Sequence, residues 1–227
     1  WVIEDRVCAG RPDWHRAGAI FADDVHAYEM MKIRIPNASH QVPSNAGELL
    51  SVPTIADCMA HPAISAMFRK VQTEEILPHV DPVPGTTPAA YLALIERRFS
   101  NPAIRDTTRR VAFDGSACHA GFLLPILREA LAAGTPVEGL ALVEALWARM
   151  CAGHREDGTR IEPNDPAWAG LTAAAQAARE RPRAWLEQAE VYGDLAKAAR
   201  FAAAFERWLA LVWRDGTRAA LDTYSRE

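Results

Sequence analysis

The feature that most constrains the fold is the recurrence of apolar residues at helical spacing along most of the chain. Several of these apolar segments begin with a polar residue that can cap a helix, followed directly by proline. Thr87 precedes Pro88 at the start of one periodic segment, and Asn101 precedes Pro102 at the start of another. Such polar side chains cap helices, and proline is tolerated in a first helical turn because its missing N–H has no partner there. The sequence contains no alternating run long enough to build a sheet. The pattern predicts an all-α fold.

The bounds of the predicted helices follow from these start signals and from the apolar period. Residues 1–20 are expected to be irregular apart from a short strand at residues 1–4, and loops are expected at residues 78–85 and 153–166. Pro36 is expected to end the first helix near Ile35, with Asn37 or Ser39 capping the next one. The predicted helices cover residues 24–35, 55–59, 62–76, 88–99, 102–112, 120–132, 136–152, 166–180, 184–190 and 194–213.

Composition and charge narrow the class of protein. The 227 residues include 49% hydrophobic and 24% charged side chains, as in an ordinary globular protein. A net charge of −4 argues against a nucleic-acid surface, which usually carries a basic excess. Apolar runs are too short to span a bilayer, and no signal peptide is visible. We therefore expect neither nucleic acid nor membrane as a partner.

The cysteines and the first residue indicate where the chain belongs. Its four cysteines are widely separated and lack the spacing of a metal site, so free thiols in a reducing, cytoplasmic compartment are expected. The chain begins on Trp1, which suggests a fragment of a longer protein.

A short stretch, Lys32-x4-Asn37-x2-His40, carries the clearest chemical signal. At about 100° per helical residue, Asn37 and His40 point about 140° and 80° away from Lys32. A neutral lysine can take a proton from an alcohol, an amide can donate to the developing oxyanion, and an imidazole can orient a hydroxyl. Glu29, one turn earlier, can serve as a proton outlet. Taken alone, these residues also suit a solvated helix face with ordinary turn and structural residues.

The surrounding segments resemble the mannitol dehydrogenase family, the polyol-specific long-chain dehydrogenases. The resemblance covers most of the chain and is most specific over the first 120 residues. The matching segments, in the order and spacing of the family, are Trp1-Val-Ile-Glu-Asp5, Gly10-Arg-Pro12, Tyr28-Glu29, Met31-Lys-Ile-Arg34, Asn37-Ala-Ser-His40, Glu74-Glu75 with Pro78, Arg98-Phe-Ser-Asn-Pro102 and Asp114-Gly-Ser116.

The resemblance implies a helical substrate-binding domain, similar to the C-terminal domain of the 6-phosphogluconate-dehydrogenase-like superfamily, over residues 1–227. An N-terminal Rossmann domain that binds NAD or NADP would lie outside this chain, so the fragment alone is expected to be inactive. Lys32 is implied as the general base of a zinc-independent enzyme that oxidises a polyol such as mannitol or arabinitol to a ketose. Asn37 is implied as half of an oxyanion hole, and His40 and Arg110 as residues that contact the substrate.

Two positions depart from the family pattern. Pro36 stands where leucine is usual, and Cys118 stands where a lysine commonly contacts the substrate. His119 is a candidate replacement for that lysine, and a structural role for it is equally open. Two other functions also remain open. One is a sugar-acid dehydrogenase of the fructuronate type in the same family, and the other is a non-catalytic helical interaction module with an unclustered Lys32.

Overall fold

The computed structural model describes residues 1–226 and confirms the all-α prediction. Three π-helical segments occur within those residues, at Ile33–Asn37, Gln72–Ile76 and His119–Leu123, with short 3-10 segments elsewhere. The strands and α-helices are β1 (Val2–Glu4), β2 (Ile20–Ala22), α1 (His26–Lys32), α2 (Ala38–Leu49), α3 (Ile55–Ala60), α4 (Pro62–Val71), α5 (Pro88–Phe99), α6 (Thr108–Val111), α7 (Gly115–Cys118), α8 (Leu124–Ala133), α9 (Glu138–Cys151), α10 (Trp168–Glu180), α11 (Ala189–Tyr192), α12 (Ala199–Asp215) and α13 (Thr217–Tyr224).

The expected strand at the amino terminus is present, and it has a partner that the sequence did not reveal. β1 and β2 pair in parallel, with Val2 opposite Ile20 and Glu4 opposite Ala22. Each strand has only three residues, which is too short for an alternating pattern to be recognised. This small sheet lies beside α1 and forms part of the surface next to the site described below.

The core is built around α9, which packs against α2 on one side and α12 on the other. Nearly every residue of α9 is buried, because its sequence is apolar around the whole helix. The ring of Trp147 in α9 makes an edge-to-face contact with that of Trp185, with ring centroids 4.9 Å apart. Gly115 of α7 lies against the same indole, and a Cβ there would come 2.6 Å from Trp147 Nε1. The tryptophans of this cluster therefore serve packing.

Glu75 connects the start of α9 with the second π-helical segment and with α13. Its carboxylate, in the second π-helical segment, accepts hydrogen bonds from the backbone N–H groups of Gly139 (2.6 Å) and Leu140 (2.9 Å). The Tyr224 hydroxyl of α13 donates to the same carboxylate at 3.1 Å. Burial raises the pKa of Glu75, and the two backbone hydrogen bonds oppose that rise. A single side chain thus caps a buried helix that has no cap of its own.

One predicted helix start is wrong. Asn101 and Pro102 form a turn in which the Asn101 side chain accepts a hydrogen bond from the N–H of Ala103 at 3.0 Å. The helix, α6, begins only at Thr108, where the Thr107 hydroxyl accepts from the N–H of Arg110 at 3.2 Å. Asparagine stabilises both a helix cap and a local turn, and here the turn is adopted.

Candidate active site

The helix break predicted at Pro36 does not occur. The π-helical segment Ile33–Asn37 joins α1 to α2, so the backbone stays helical from His26 to Leu49. Within it the N–H of Ala38 reaches the carbonyl of Ile33, five residues back. A π-helical turn contains one more residue than an α-helical turn. The backbone can therefore stay helical although Pro36 has no N–H to donate. Asn37 makes no capping hydrogen bond, so its amide remains available to the site.

The π-helical segment borders a cleft of about 390 Å³ between the α1–α2 run, α5 and the segment that leads into α6. Lys32, Asn37, His40 and Arg110, the four residues with predicted catalytic or substrate-binding roles, all line this cleft. Lys32 and Arg110 are exposed, and Asn37 and His40 are half-buried. The remaining lining residues are Pro36, Ile55, Tyr91, Ile95, Arg98, Phe99, Ile104 and Asp106.

Glu29 is not part of the cleft. It is exposed and lines a neighbouring apolar groove of about 720 Å³ that runs along α1, β1, β2 and α5. Lys32 and Tyr91 line both the cleft and the groove, so these two side chains form the boundary between them. Trp1 and Leu94, in the groove wall, are 88% and 40% exposed. An apolar surface of this kind next to a site is typical of a contact face.

Asp106 holds the guanidinium of Arg110 through two parallel hydrogen bonds. Arg110 Nε and Nη2 each donate to a different carboxylate oxygen of Asp106, both at 2.6 Å. The Asp106 side chain is 17% exposed, whereas that of Arg110 is 69% exposed. The hydrogen bonds to Asp106 raise the pKa of Arg110, so the group stays charged. The largely buried carboxylate of Asp106 therefore fixes the direction in which the exposed guanidinium of Arg110 points.

His40 is held as a neutral imidazole. Its ring stacks on Phe99, with centroids 4.5 Å apart and an interplanar angle of 21°. The pKa of His40 is lowered to about 4, mainly by burial; Asp106 raises it, and the cationic side chains nearby, Arg110 first, lower it. Near neutral pH the ring can therefore both donate and accept one hydrogen bond, which suits recognition of a hydroxyl.

The depressed pKa of His40 predicts a pH-dependent stability. An unfolded histidine takes up its proton near pH 6.5, whereas the folded His40 does so near pH 4. The unfolded state thus binds more protons between these values, and the free energy of unfolding falls as the pH drops from 6.5 to 4. We expect the free energy of unfolding of His40→Gln to fall by about 2 kcal/mol less than that of the wild type over this range, after allowance for partial solvent exposure. Denaturant unfolding at pH 7 and pH 4.5 measures it.

His26 of α1 offers a matched control for that experiment, because its side chain is 73% exposed. His26→Gln should leave the pH dependence of unfolding unchanged. An equal effect of the two substitutions would show that the pH dependence does not arise at His40.

His119 does not take the place of the lysine that Cys118 replaces. Its side chain is completely buried, and Nδ1 lies 2.7 Å from Glu144 Oε1 while Nε2 lies 3.2 Å from Asn45 Nδ2. The Tyr192 hydroxyl donates to the other oxygen of Glu144 at 2.6 Å. The ring is therefore a member of a buried polar network, and Cys118 is half-buried outside the cleft.

Sequence reasoning missed several residues of the cleft. Asp106 received no role, although its spacing of four residues from Arg110 favours an ion pair on a helical turn. Tyr91 also lines the cleft, as do Arg98 and Phe99 of the segment that resembles the family. No local signal distinguishes a side chain that lines a cleft from one that faces solvent.

Two features are absent from the part of the chain that the structure describes. Over residues 1–226, no group of three or more histidine, cysteine, aspartate or glutamate side chains is arranged to hold a metal ion. No helix in the same range has both the length and the apolar character required to cross a membrane.

Comparison with known proteins places the chain in a family. Residues 24–213 match the family model described as mannitol dehydrogenase C-terminal domain. A mannitol 2-dehydrogenase from Cereibacter sphaeroides is 51% identical over 97% of this chain and 46% of its own length. A D-mannonate oxidoreductase from Escherichia coli is 38% identical over 86% of the chain and 40% of its own length.

The fold has a close counterpart among solved structures. A Pseudomonas fluorescens mannitol 2-dehydrogenase, in a ternary complex with NAD and D-mannitol, superposes with a TM-score of 0.93 at 31% identity. The match covers 100% of this chain and 46% of that one, so the chain spans about half the length of these relatives. The chain belongs to the mannitol dehydrogenase C-terminal domain family.

Proposed function

We propose that this chain is the substrate-binding and catalytic domain of a polyol dehydrogenase that uses NAD or NADP. The longer protein oxidises a sugar alcohol of the mannitol or arabinitol type to its ketose. The observation that carries the proposal is the convergence of Lys32, Asn37, His40 and Arg110 on one cleft. A non-catalytic interaction module gives no reason for these four polar groups to face the same cavity.

Each of the four residues has a task in the oxidation. As the carbon gives up a hydride, Lys32 takes the proton from the hydroxyl on that carbon. Asn37 donates a hydrogen bond to the same oxygen as negative charge develops on it, and a preorganised amide is effective there because it needs no reorientation. His40 and Arg110 bind neighbouring hydroxyls and set which carbon faces Lys32.

The proton that Lys32 receives needs a way out of the site. Lys32 lines the groove as well as the cleft, and Glu29 lines the same groove one helical turn earlier. We assign Glu29 the passage of this proton to solvent. Its carboxylate is exposed to solvent, which suits that task.

The dinucleotide is held mainly outside this chain. The sequence has no G-x-G-x-x-G loop to cradle a pyrophosphate, so the Rossmann domain of the longer protein supplies that part. When bound, the nicotinamide would supply the acceptor for the hydride. The apolar groove meets the cleft at Lys32, and an apolar surface of this kind suits contact with a second domain.

We also propose that the reaction is zinc-independent. The polar groups that line the cleft include the Lys32 amine, the guanidiniums of Arg98 and Arg110, the His40 imidazole and the Asp106 carboxylate, which is already paired with Arg110. Zinc needs three or more thiolate, imidazole or carboxylate ligands from the protein, and this lining provides one imidazole and one carboxylate. The lysine amine takes the place of a metal-bound base.

A sugar-acid dehydrogenase is the second candidate, because one relative is a D-mannonate oxidoreductase. Among residues 1–226, Arg98 has no carboxylate within ion-pair distance, so its guanidinium is available to a charged substrate. The two candidates share the same chemistry at the reacting carbon and differ only in the group at the far end of the substrate.

A substrate panel tests the proposal. We expect the full-length protein to oxidise mannitol or arabinitol with NAD or NADP, and this chain alone to give no turnover. Prior treatment with EDTA should leave the rate unchanged. Failure to oxidise any polyol while a sugar acid is turned over would establish the second candidate, and a rate lost with EDTA and restored by zinc would refute zinc independence.

A further inference from the structure

The cleft has a charge balance that bears on which substrate it takes. Its two guanidinium groups, those of Arg98 and Arg110, face a single carboxylate, that of Asp106. A guanidinium attracts an anionic substrate less when a carboxylate of the protein already balances its charge. Within residues 1–226, Arg110 is engaged in this way by Asp106, and Arg98 is not.

A guanidinium binds a carboxylate best through two parallel N–H groups. In Arg110 the edge formed by Nε and Nη2 is occupied by Asp106, with both hydrogen bonds at 2.6 Å. The end of the guanidinium formed by Nη1 and Nη2 remains open and can donate to hydroxyl oxygens, while Asp106 already balances the positive charge that would attract a second carboxylate. Asp106 itself presents negative charge at the same wall of the cleft.

Asp106 is also anchored more firmly than the arginine it holds. Its carbonyl accepts a hydrogen bond from the N–H of Ile55 at 2.9 Å, and its own N–H donates to the carbonyl of Ile104 at 2.9 Å. Its side chain is 17% exposed, against 69% for Arg110. The backbone of Asp106 is therefore held in the cleft wall, and its carboxylate is the less exposed member of the pair with Arg110.

We propose that Asp106 determines specificity at this site by selecting neutral polyols over substrates that carry a carboxylate. It occupies one of the two edges through which Arg110 could bind a carboxylate, it balances the charge of the guanidinium, and it adds a repulsive charge beside it. The inference rests on the proposed function, because it concerns the substrate class of the same cleft. It assigns Asp106 a positioning role, since it acts through Arg110.

The test is a change in preference in the full-length protein. We expect Asp106→Asn to raise the ratio of kcat/KM for D-mannonate to kcat/KM for mannitol by roughly tenfold or more, because a charge-assisted pair becomes available and a repulsion is lost. The gain should vanish when Arg110→Gln is added. Asp222→Asn is the matched control, since Asp222 accepts from Arg218 at the same four-residue spacing on a surface helix.

The outcomes separate this inference from the proposed function. If the wild-type protein oxidises neither compound, the proposed function is wrong. If it oxidises mannitol and Asp106→Asn leaves the ratio unchanged, only the role of Asp106 is wrong. If the variant does not fold, the inhibition of wild-type mannitol oxidation by D-mannonate is measured instead. An inhibition constant at or below the KM of mannitol overturns the inference. An inhibition constant roughly tenfold higher than that KM supports it.

Discussion

Replacement of Lys32 by methionine in the full-length protein should lower kcat for polyol oxidation about 1,000-fold, within the range that a positioned general base contributes. Methionine keeps the length of the side chain and removes the amine, so KM should change much less than kcat. Steady-state kinetics from pH 6 to pH 10 measure both effects.

Lys197 provides the control for this substitution, because it is exposed and lies outside the cleft. Lys197→Met should leave kcat, KM and the pH profile unchanged. A small primary amine added to the Lys32→Met protein should restore part of the rate. If Lys32→Met keeps a near-normal rate at every pH, another group is the base.

Removal of the Glu75 carboxylate should have the largest effect on stability. Glu75→Ala leaves the N–H groups of Gly139 and Leu140 and the hydroxyl of Tyr224 without their partner in a buried position. Each such group costs about 1–3 kcal/mol, so we expect a loss of about 4 kcal/mol in the free energy of unfolding. That loss should lower the midpoint of thermal unfolding by about 10 °C in a domain of this size.

The adjacent Glu74 is exposed and gives a control in the same segment. Glu74→Ala should shift the unfolding midpoint by no more than about 1 °C. Glu75→Gln should fall between the two, since an amide oxygen can still accept from one backbone N–H. Equal midpoints for Glu75→Ala and Glu74→Ala would show that this cap does not stabilise α9.

The helical class of the fold could be predicted because it depends on local periodicity, which the sequence displays directly. The ends of helices were harder to predict, because some of the residues that stabilise them are distant in sequence. The cap of α9 comes from Glu75, more than 60 residues away. α13 was not predicted. The first N–H of this helix, that of Thr217, donates to the distant side chain of Glu156, which leaves no signal in the sequence near Thr217. Long-range partners of this kind leave no local pattern.

Pro36 shows a different limit. Proline does prevent the ordinary helical hydrogen bond, so a break was a sound expectation. The chain instead adopts a π turn, which keeps the helix continuous but changes the angles around it. The orientations expected for Asn37 and His40 from an ideal helix therefore do not apply. Their shared position on one cleft depends on the extra residue in the turn and on the packing of α5 opposite.

The candidate site could be predicted only as far as its residue types carry chemistry. A lysine, an asparagine and a histidine in a short span pointed to alcohol oxidation, and family resemblance gave them roles that remain proposals. Asp106 carries no such signal in the sequence, because its importance lies in the two hydrogen bonds to Arg110. His119 appeared as a possible substrate contact, and only its burial beside Glu144 assigns it to the interior.

The most direct test of a polyol site at this cleft is a crystal structure of the full-length protein with a bound dinucleotide and mannitol. The reacting hydroxyl of mannitol should lie within about 3.2 Å of Lys32 Nζ, the reach of a catalytic hydrogen bond. Asn37 should contact the same oxygen, with His40 and Arg110 on neighbouring hydroxyls. A polyol bound elsewhere, or one whose hydroxyls all lie beyond hydrogen-bond reach of Lys32, would contradict the proposed mechanism.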